Sequence, residues 1–336
     1  MRTTMEIERL KGAAPAHPFP VYQDPVASLL AAHRRDDSGR DTVVAHLLGT
    51  CAGYAYADTA TVATMMTRLG LGDTACVRVA QAVDAMLVFS TAYLVQSRCG
   101  RVVILCYRGT EAGNLGNWLG DADTGPEPMR LDQVSPEVHA GFYRNVRATR
   151  LAVLDELQHA LEGRSLLDPG TSVDHPLEAL YLTGHSLGGA MAALLALSLA
   201  GIAEHRAIAD RLRAVYTFGQ PMALIEPLPA LGDTVGRKLY RHITARDIIP
   251  ALPPARWGKY VHFGHEYRHS EGEWRRAETP TTRLASLREI PGSLLAFFAT
   301  AKRRDSSRYA MAEHAPHHYI ARLRPADRVT EYGDRC

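Results

Sequence analysis

Hydrophobic and polar positions change period several times along this chain, and each change predicts an element. Up to about residue 70 the apolar residues recur at helical spacing: DPVASLLAAHRR opens on an Asp-Pro start signal, and TVVAHLLGTCAGYAYADTATVATMMTRLG continues the pattern. The period then shortens. AMLVFSTAYLVQSRCGRVVILCYRGT holds two β-rich runs on either side of SRCG, which predicts an antiparallel hairpin ending at Thr110. RNVRATRLAVLDELQHALEG reads as an amphipathic helix closed by Gly163. After it come a strand ALYLTG, a helix from about Leu187, a strand LRAVYTFG and a strand KLYRHITA. Strands alternating with helices of this length predict βαβ units, hence an α/β fold with a mostly parallel central sheet covered by helices on both faces. The expected organisation is a helical N-terminal segment, residues 1–75, packed on a core at 76–336.

Composition narrows the class. With 336 residues, 46% of them hydrophobic, the chain can bury a large core, expected as one domain. The formal net charge is +2, and the basic clusters Arg34-Arg35, Arg275-Arg276 and Lys302-Arg303-Arg304 each sit near acidic residues, so they read as solvated faces and not as a nucleic-acid surface. Residues 1–20 carry no apolar run of the kind a secretory leader needs, and five cysteines with no CxxC spacing suit reduced thiols. Together they predict a cytoplasmic protein. The longest apolar stretch, about Ala190 to Ala203, is shorter than the ~20 residues that span a bilayer and reads as a buried helix.

Between the strand ALYLTG and that helix lies GHSLGG, the strand-turn-helix context that a GxSxG nucleophile motif requires. Gly184 and Gly188 let helix and strand approach, and the turn presents the Ser186 hydroxyl above the carboxyl edge of the sheet, where α/β folds place their ligands. A serine nucleophile needs a base, an acid that orients it and donors for the oxyanion, with acid and base following in that chain order. Asp210 precedes its strand and Asp233 lies between strands, whereas Asp247 comes directly after one, so Asp247 is the best-placed acid. AEHAPHHYIARL, at the start of the last helical segment, offers the base: His314 leads, with His317 and His318 also candidates. HFGHEYRH, with His262, His265 and His269, has no carboxylate or thiol partner at ligand spacing, so neither a metal nor another cofactor is expected.

In order along the chain stand YRGT (107–110), NWLGD (117–121), VHAGFYRN (138–145), LTGHSLGGA (182–190), YTFGQP (216–221), RDIIPALPP (246–254) and EHAPHHY (313–319). With these motifs the chain resembles the class 3, or fungal-type, lipase family of α/β-hydrolases over about residues 85–322. The resemblance implies Ser186 as nucleophile, Asp247 as acid and, from a His-x-x-x-x-Tyr spacing, His314 as base together with Tyr319. It implies Thr110 and the Leu187 N–H as oxyanion donors and a short lid at about 111–125. Trp118 and Leu119 of that lid, and His185 beside the nucleophile, are assigned to substrate binding, with Trp118 as a plain core aromatic the alternative. LREIPGSLLAFFATAKRR (287–304) reads first as packing on the core, and second as an apolar cap or membrane-surface helix. Two positions depart from the family pattern: MALIEP follows YTFGQP where a basic and a small residue are usual, and Glu313 stands where an Asp is common.

The function expected is hydrolysis of carboxylic esters of a lipid-like substrate, acylglycerol or phospholipid. The partners are then that ester and, transiently, a lipid interface, with no nucleic acid and the oligomeric state open. A cytoplasmic site sets bulk oil droplets below other esters. The alternatives are acyl transfer or thioester cleavage on the same residues, and a lipase-like binding module without chemistry.

Overall fold

Alternation along the central strands explains the architecture. The computed structural model describes residues 4–12, 20–34, 39–83, 86, 88–110, 125–226, 228–279, 281, 311–330 and 332–334. The strands are β1 (Thr4–Lys11), β2 (Ala75–Val83), β3 (Val88–Gln96), β4 (Val102–Tyr107), β5 (Pro126–Pro128), β6 (Glu137–His139), β7 (Ala179–His185), β8 (Leu212–Phe218), β9 (Leu239–Thr244), β10 (His265–Ser270) and β11 (Glu273–Arg276). Nine of them form one sheet in the order β1-β2-β3-β4-β7-β8-β9-β10-β11, while β5 and β6 pair separately. The centre, from β4 to β10, is parallel, and the flanks are antiparallel.

The helices are α1 (Pro25–Ala31), α2 (Thr42–Tyr54), α3 (Thr59–Arg68), α4 (Ala140–Leu161), α5 (Leu187–Gly201), α6 (Arg206–Ala209), α7 (Pro229–Gly236) and α8 (Pro316–Leu323). In β4, Val103, Leu105 and Tyr107 join a core with α4 and α5, while Val102, Ile104 and Cys106 join a second core with α1, α2, α3 and α8. A sheet buried on both faces needs apolar side chains on both parities, which is why these strands read as unbroken apolar runs. Helix α5 is buried from Leu187 through Leu199 and so has no polar face. Among the described residues no single helix is long and apolar enough to cross a membrane.

Residues 4–11 correct the helical expectation for the start of the chain, because they form β1. In TMEIERLK, Met5, Ile7 and Arg9 alternate with Glu6, Glu8 and Leu10, but polar residues on both parities mute that signal. The strand exists because β2, beyond three helices in sequence, pairs with it from Thr4↔Ala82 to Lys11↔Ala75. Such a partner is not visible in a local window.

The two cores also hold histidines. His33, His46, His139, His185 and His242 are all buried. Burial disfavours the charged ring, lowering the pKa to about 4 for His33 and His46, to about 3 for His139, and well below the usual 6.5 for His185 and His242. Above pH ~6.5 these rings are neutral in folded and unfolded chains alike and stability is full. Between pH ~6.5 and the lowered folded values the unfolded chain binds protons that the folded one refuses, so stability falls as pH falls, by about 1.4 kcal/mol per pH unit for each such group. Urea midpoints are therefore expected to be level from pH 8 to pH 7 and to drop steeply from pH 6.5 toward pH 5; a level midpoint down to pH 5 would contradict these assignments.

Candidate active site

Because β7 ends at His185 and α5 begins at Leu187, Ser186 alone makes the turn between them, at φ 59° and ψ −129°. That conformation is costly for a residue with a side chain and survives only where the surroundings impose it. Here they do. A Cβ on Gly184 would lie 2.3 Å from the Gly188 carbonyl carbon, and one on Gly188 would lie 2.2 Å from the Tyr107 carbonyl oxygen. The first turn of α5 is thus pressed onto β7 and the end of β4 with no room for side chains. The Ser186 N–H donates to the Phe218 carbonyl at 2.9 Å, tying the turn to the end of β8. Ser186 stands at the carboxyl edge of the sheet yet is only 1% exposed, because other loops converge on the same edge.

One of those loops follows β9 and carries Asp247; another, the short turn Met311–His314, precedes α8. His314 Nδ1 donates to Asp247 Oδ2 at 2.8 Å. The Tyr319 hydroxyl donates to the same oxygen at 2.6 Å, and the Ile249 N–H donates to Oδ1 at 2.9 Å. The carboxylate is buried and three donors converge on its two oxygens, which fixes its plane. Burial and the neighbouring Asp247 raise the Tyr319 pKa well above 10, so the phenol stays a donor. A Cβ on Gly219 would lie 2.7 Å from Asp247 Oδ2 and 2.8 Å from His314 Nδ1, so the end of β8 that anchors Ser186 also lies directly under the His–Asp pair.

Engaging Nδ1 leaves His314 Nε2 as the lone-pair nitrogen, and it is buried with no hydrogen-bond partner among the described residues. A carboxylate-held imidazole with its second nitrogen unengaged, on the sheet edge that also carries a hydroxyl on a strained turn, is an arrangement able to take up and return a proton. Leu187 is the first residue of α5, so its N–H has no partner inside the helix. Thr110 lies just past β4, whose end packs on the start of α5, so the two expected donors flank one edge.

His317 and His318 lie on α8, with their rings tilted against each other at a centroid distance of 4.2 Å, and neither is bonded to Asp247. His262 is bonded to the Pro250 carbonyl at 2.7 Å, His265 to Arg276 at 2.7 Å, and His269 packs on Trp274, so these three do not converge. Among the described residues no group of three His, Cys, Asp or Glu side chains is placed to hold a metal ion. Trp118, Leu119 and the 111–125 lid up to residue 124 lie outside the described residues, as does the 287–304 stretch. His185, assigned above to substrate binding, has both ring nitrogens engaged inside the protein, by Tyr56 and by the His314 carbonyl, which leaves neither for a ligand. Sequence reasoning missed Tyr56, which lies between α2 and α3 where no motif points to it.

The family model described as "Lipase (class 3)" matches residues 104–257, a span that holds Ser186 and Asp247. Residues 104–257 belong to the class 3 lipase family. The chain is 29% identical over 187 residues to the lipase of Rhizomucor miehei, covering 54% of this chain and 46% of that protein. It is 31% identical over 194 residues to secreted mono- and diacylglycerol lipase 2 of Gibberella zeae, covering 49% and 43%. The chain thus spans less than half the length of these relatives.

In three dimensions the chain superposes on a propeptide complex of the Rhizomucor miehei lipase with a TM-score of 0.56 at 20% identity, over 83% of this chain and 79% of that one. The lipase of Rhizopus microsporus var. chinensis gives 0.54 at 18% identity, over 81% and 85%. The fold is that of the α/β-hydrolases.

The names of two relatives, the secreted mono- and diacylglycerol lipases of Gibberella zeae and Penicillium camembertii, overturn the cytoplasmic expectation. That expectation rested on the composition of residues 1–20 and on a cysteine count, and neither bears on where the folded lipase domain works. Oil droplets, set below other esters only on that ground, regain equal standing.

Proposed function

We propose that this chain hydrolyses carboxylic esters of lipid-like substrates, acylglycerols first, through an acyl-enzyme on Ser186. The observation that carries the proposal is the buried His314 ring, held by Asp247 at Nδ1 and unengaged at Nε2, on the sheet edge where the Ser186 turn stands. Ser186 Oγ attacks the ester carbonyl carbon while His314 Nε2 takes its proton, and the charge that develops on the carbonyl oxygen is met by Thr110 and by the Leu187 N–H. Collapse breaks the bond to the alkoxy oxygen, and His314 returns the proton to the departing alcohol. Water, deprotonated in turn by His314, attacks the acyl carbon, releases the acid and restores Ser186. Asp247 keeps the imidazole in the tautomer that accepts at Nε2 and stabilises the imidazolium that forms. Losing one oxyanion donor costs about 10²–10³ in rate.

The acylglycerol class is supported by relatives named as mono- and diacylglycerol lipases and as a triacylglycerol lipase. The secreted relatives favour action outside the cell, on a substrate presented at a lipid interface. Residues 1–75 belong to the same working unit in this proposal, since β1 extends the sheet and α1 to α3 cover one of its faces.

The test is a panel of short- and long-chain aryl esters, mono-, di- and triacylglycerols and phospholipids, run beside labelling by a fluorophosphonate. Turnover of at least one acylglycerol class, with label on Ser186, is the expected result. A folded protein that neither turns over the panel nor takes up the label would overturn the proposal in favour of a binding module.

A further inference from the structure

His185 is buried, and both nitrogens of its ring are engaged: the Tyr56 hydroxyl lies 2.8 Å from Nδ1 and the His314 carbonyl oxygen 2.6 Å from Nε2. A carbonyl oxygen can only accept, so Nε2 carries the proton. Burial, and the neighbouring His314, push the His185 pKa well down and keep the ring neutral, which leaves Nδ1 as an acceptor and Tyr56 as its donor. The direction of the chain is therefore forced, from Tyr56 through His185 to the backbone of His314.

Both ends of this chain lie where the chemistry would occur. At the receiving end, the turn that carries His314 is tied to the sheet through two successive carbonyls, because the Thr244 hydroxyl donates to the Glu313 oxygen at 3.1 Å while His185 holds the next one. The His185 and His314 rings also face each other with centroids 4.4 Å apart. At the donor end, a Cβ on Gly109 would lie 2.2 Å from the Tyr56 hydroxyl and 2.5 Å from the His185 carbonyl oxygen. The phenol is wedged between the segment entering Thr110 and the turn entering Ser186. Tyr56 itself comes from the α2–α3 connection, outside the span matched to the class 3 lipases.

We infer that Tyr56 is a positioning residue for the base: its hydroxyl donates to Nδ1 and fixes the His185 ring, whose Nε2 proton holds the His314 carbonyl and with it the imidazole. Without the hydroxyl the His314 carbonyl still favours this tautomer, but Nδ1 becomes a buried acceptor without its donor. The ring then shifts or rotates to satisfy Nδ1, and the turn that aims the base shifts with it. The inference rests on the reading of Ser186 and His314 given above.

The experiment is a double-mutant cycle of Tyr56→Phe and His185→Phe on one soluble aryl ester, with rates expressed per fluorophosphonate-labelled site and Ser186→Ala run alongside. Tyr56→Phe is expected to lower kcat about tenfold with KM within about twofold, since it misaims the base without touching the substrate. His185→Phe lowers kcat at least as far, and the double variant is no worse than His185→Phe alone, because Tyr56 acts through that ring. Additive losses, or a wild-type kcat for Tyr56→Phe, overturn the inference while a dead Ser186→Ala leaves the underlying reading standing. An active Ser186→Ala overturns that reading itself. If either Phe variant fails to fold, nitrogen NMR of the histidines in the wild-type protein decides: His185 protonated on Nε2 is the expected state, and protonation on Nδ1 sinks the proposal.

Discussion

Ser186→Ala is expected to lower kcat on any ester substrate by about 10⁵–10⁶ while the protein keeps its fold. The loss is large because the hydroxyl is the only atom that forms the covalent bond in the proposed cycle, and a water placed in its stead has neither the alignment nor the neighbouring base. The fold is kept because the side chain contributes one oxygen and no apolar packing. The strain at φ 59° is borne by the backbone, which alanine must adopt as serine does. Measuring kcat/KM on an aryl ester together with the thermal midpoint separates the two effects. More than a few per cent of wild-type activity in well-folded Ser186→Ala protein would remove Ser186 from the nucleophile role.

An equal loss is expected for His314→Ala, with His317→Ala and His318→Ala keeping at least about half of the wild-type rate. Nucleophile and base act as a unit, so deleting either costs about the same, and deleting both costs little more. His314 is 6% exposed and bonded to Asp247, whereas His317 is exposed on α8 and its ring meets that of His318 at a tilt. Removing His314 also leaves Asp247 Oδ2 with only the Tyr319 donor in a buried position, so a modest fall in thermal midpoint accompanies the kinetic loss. The three alanine variants assayed on one ester decide it. An inactive His317→Ala or His318→Ala beside an active His314→Ala would move the base onto the helix.

Much of this geometry can be read from local pattern. The β3–β4 hairpin, the strand, turn and helix around Ser186, and the placement of Asp247 past β9 all follow from side-chain periodicity and glycine position, together with the rule that α/β folds gather chemistry at the carboxyl edge of the sheet. Pro316 at the start of α8 likewise separates His314 from the helix in a way a helix-start signal predicts.

What local pattern could not contain are the facts that depend on which distant groups meet. Strand β1 is a strand because β2 lies beside it, and Asp247 Oδ2 is shared by His314 and Tyr319 because α8 packs where it does. The partnership of Tyr56 with His185 exists only because the α2–α3 connection lands on Gly109. By itself, then, the sequence determined the βαβ order, the serine turn and the edge on which acid and base must stand, since these follow from periodicity, glycine position and chain direction. The tertiary structure alone decided that His314 and Tyr319 share one oxygen of Asp247, which rings are buried, and that Tyr56 reaches His185. Hydrogen-bond pairing and desolvation are set by distances of a few ångströms between residues far apart in the chain.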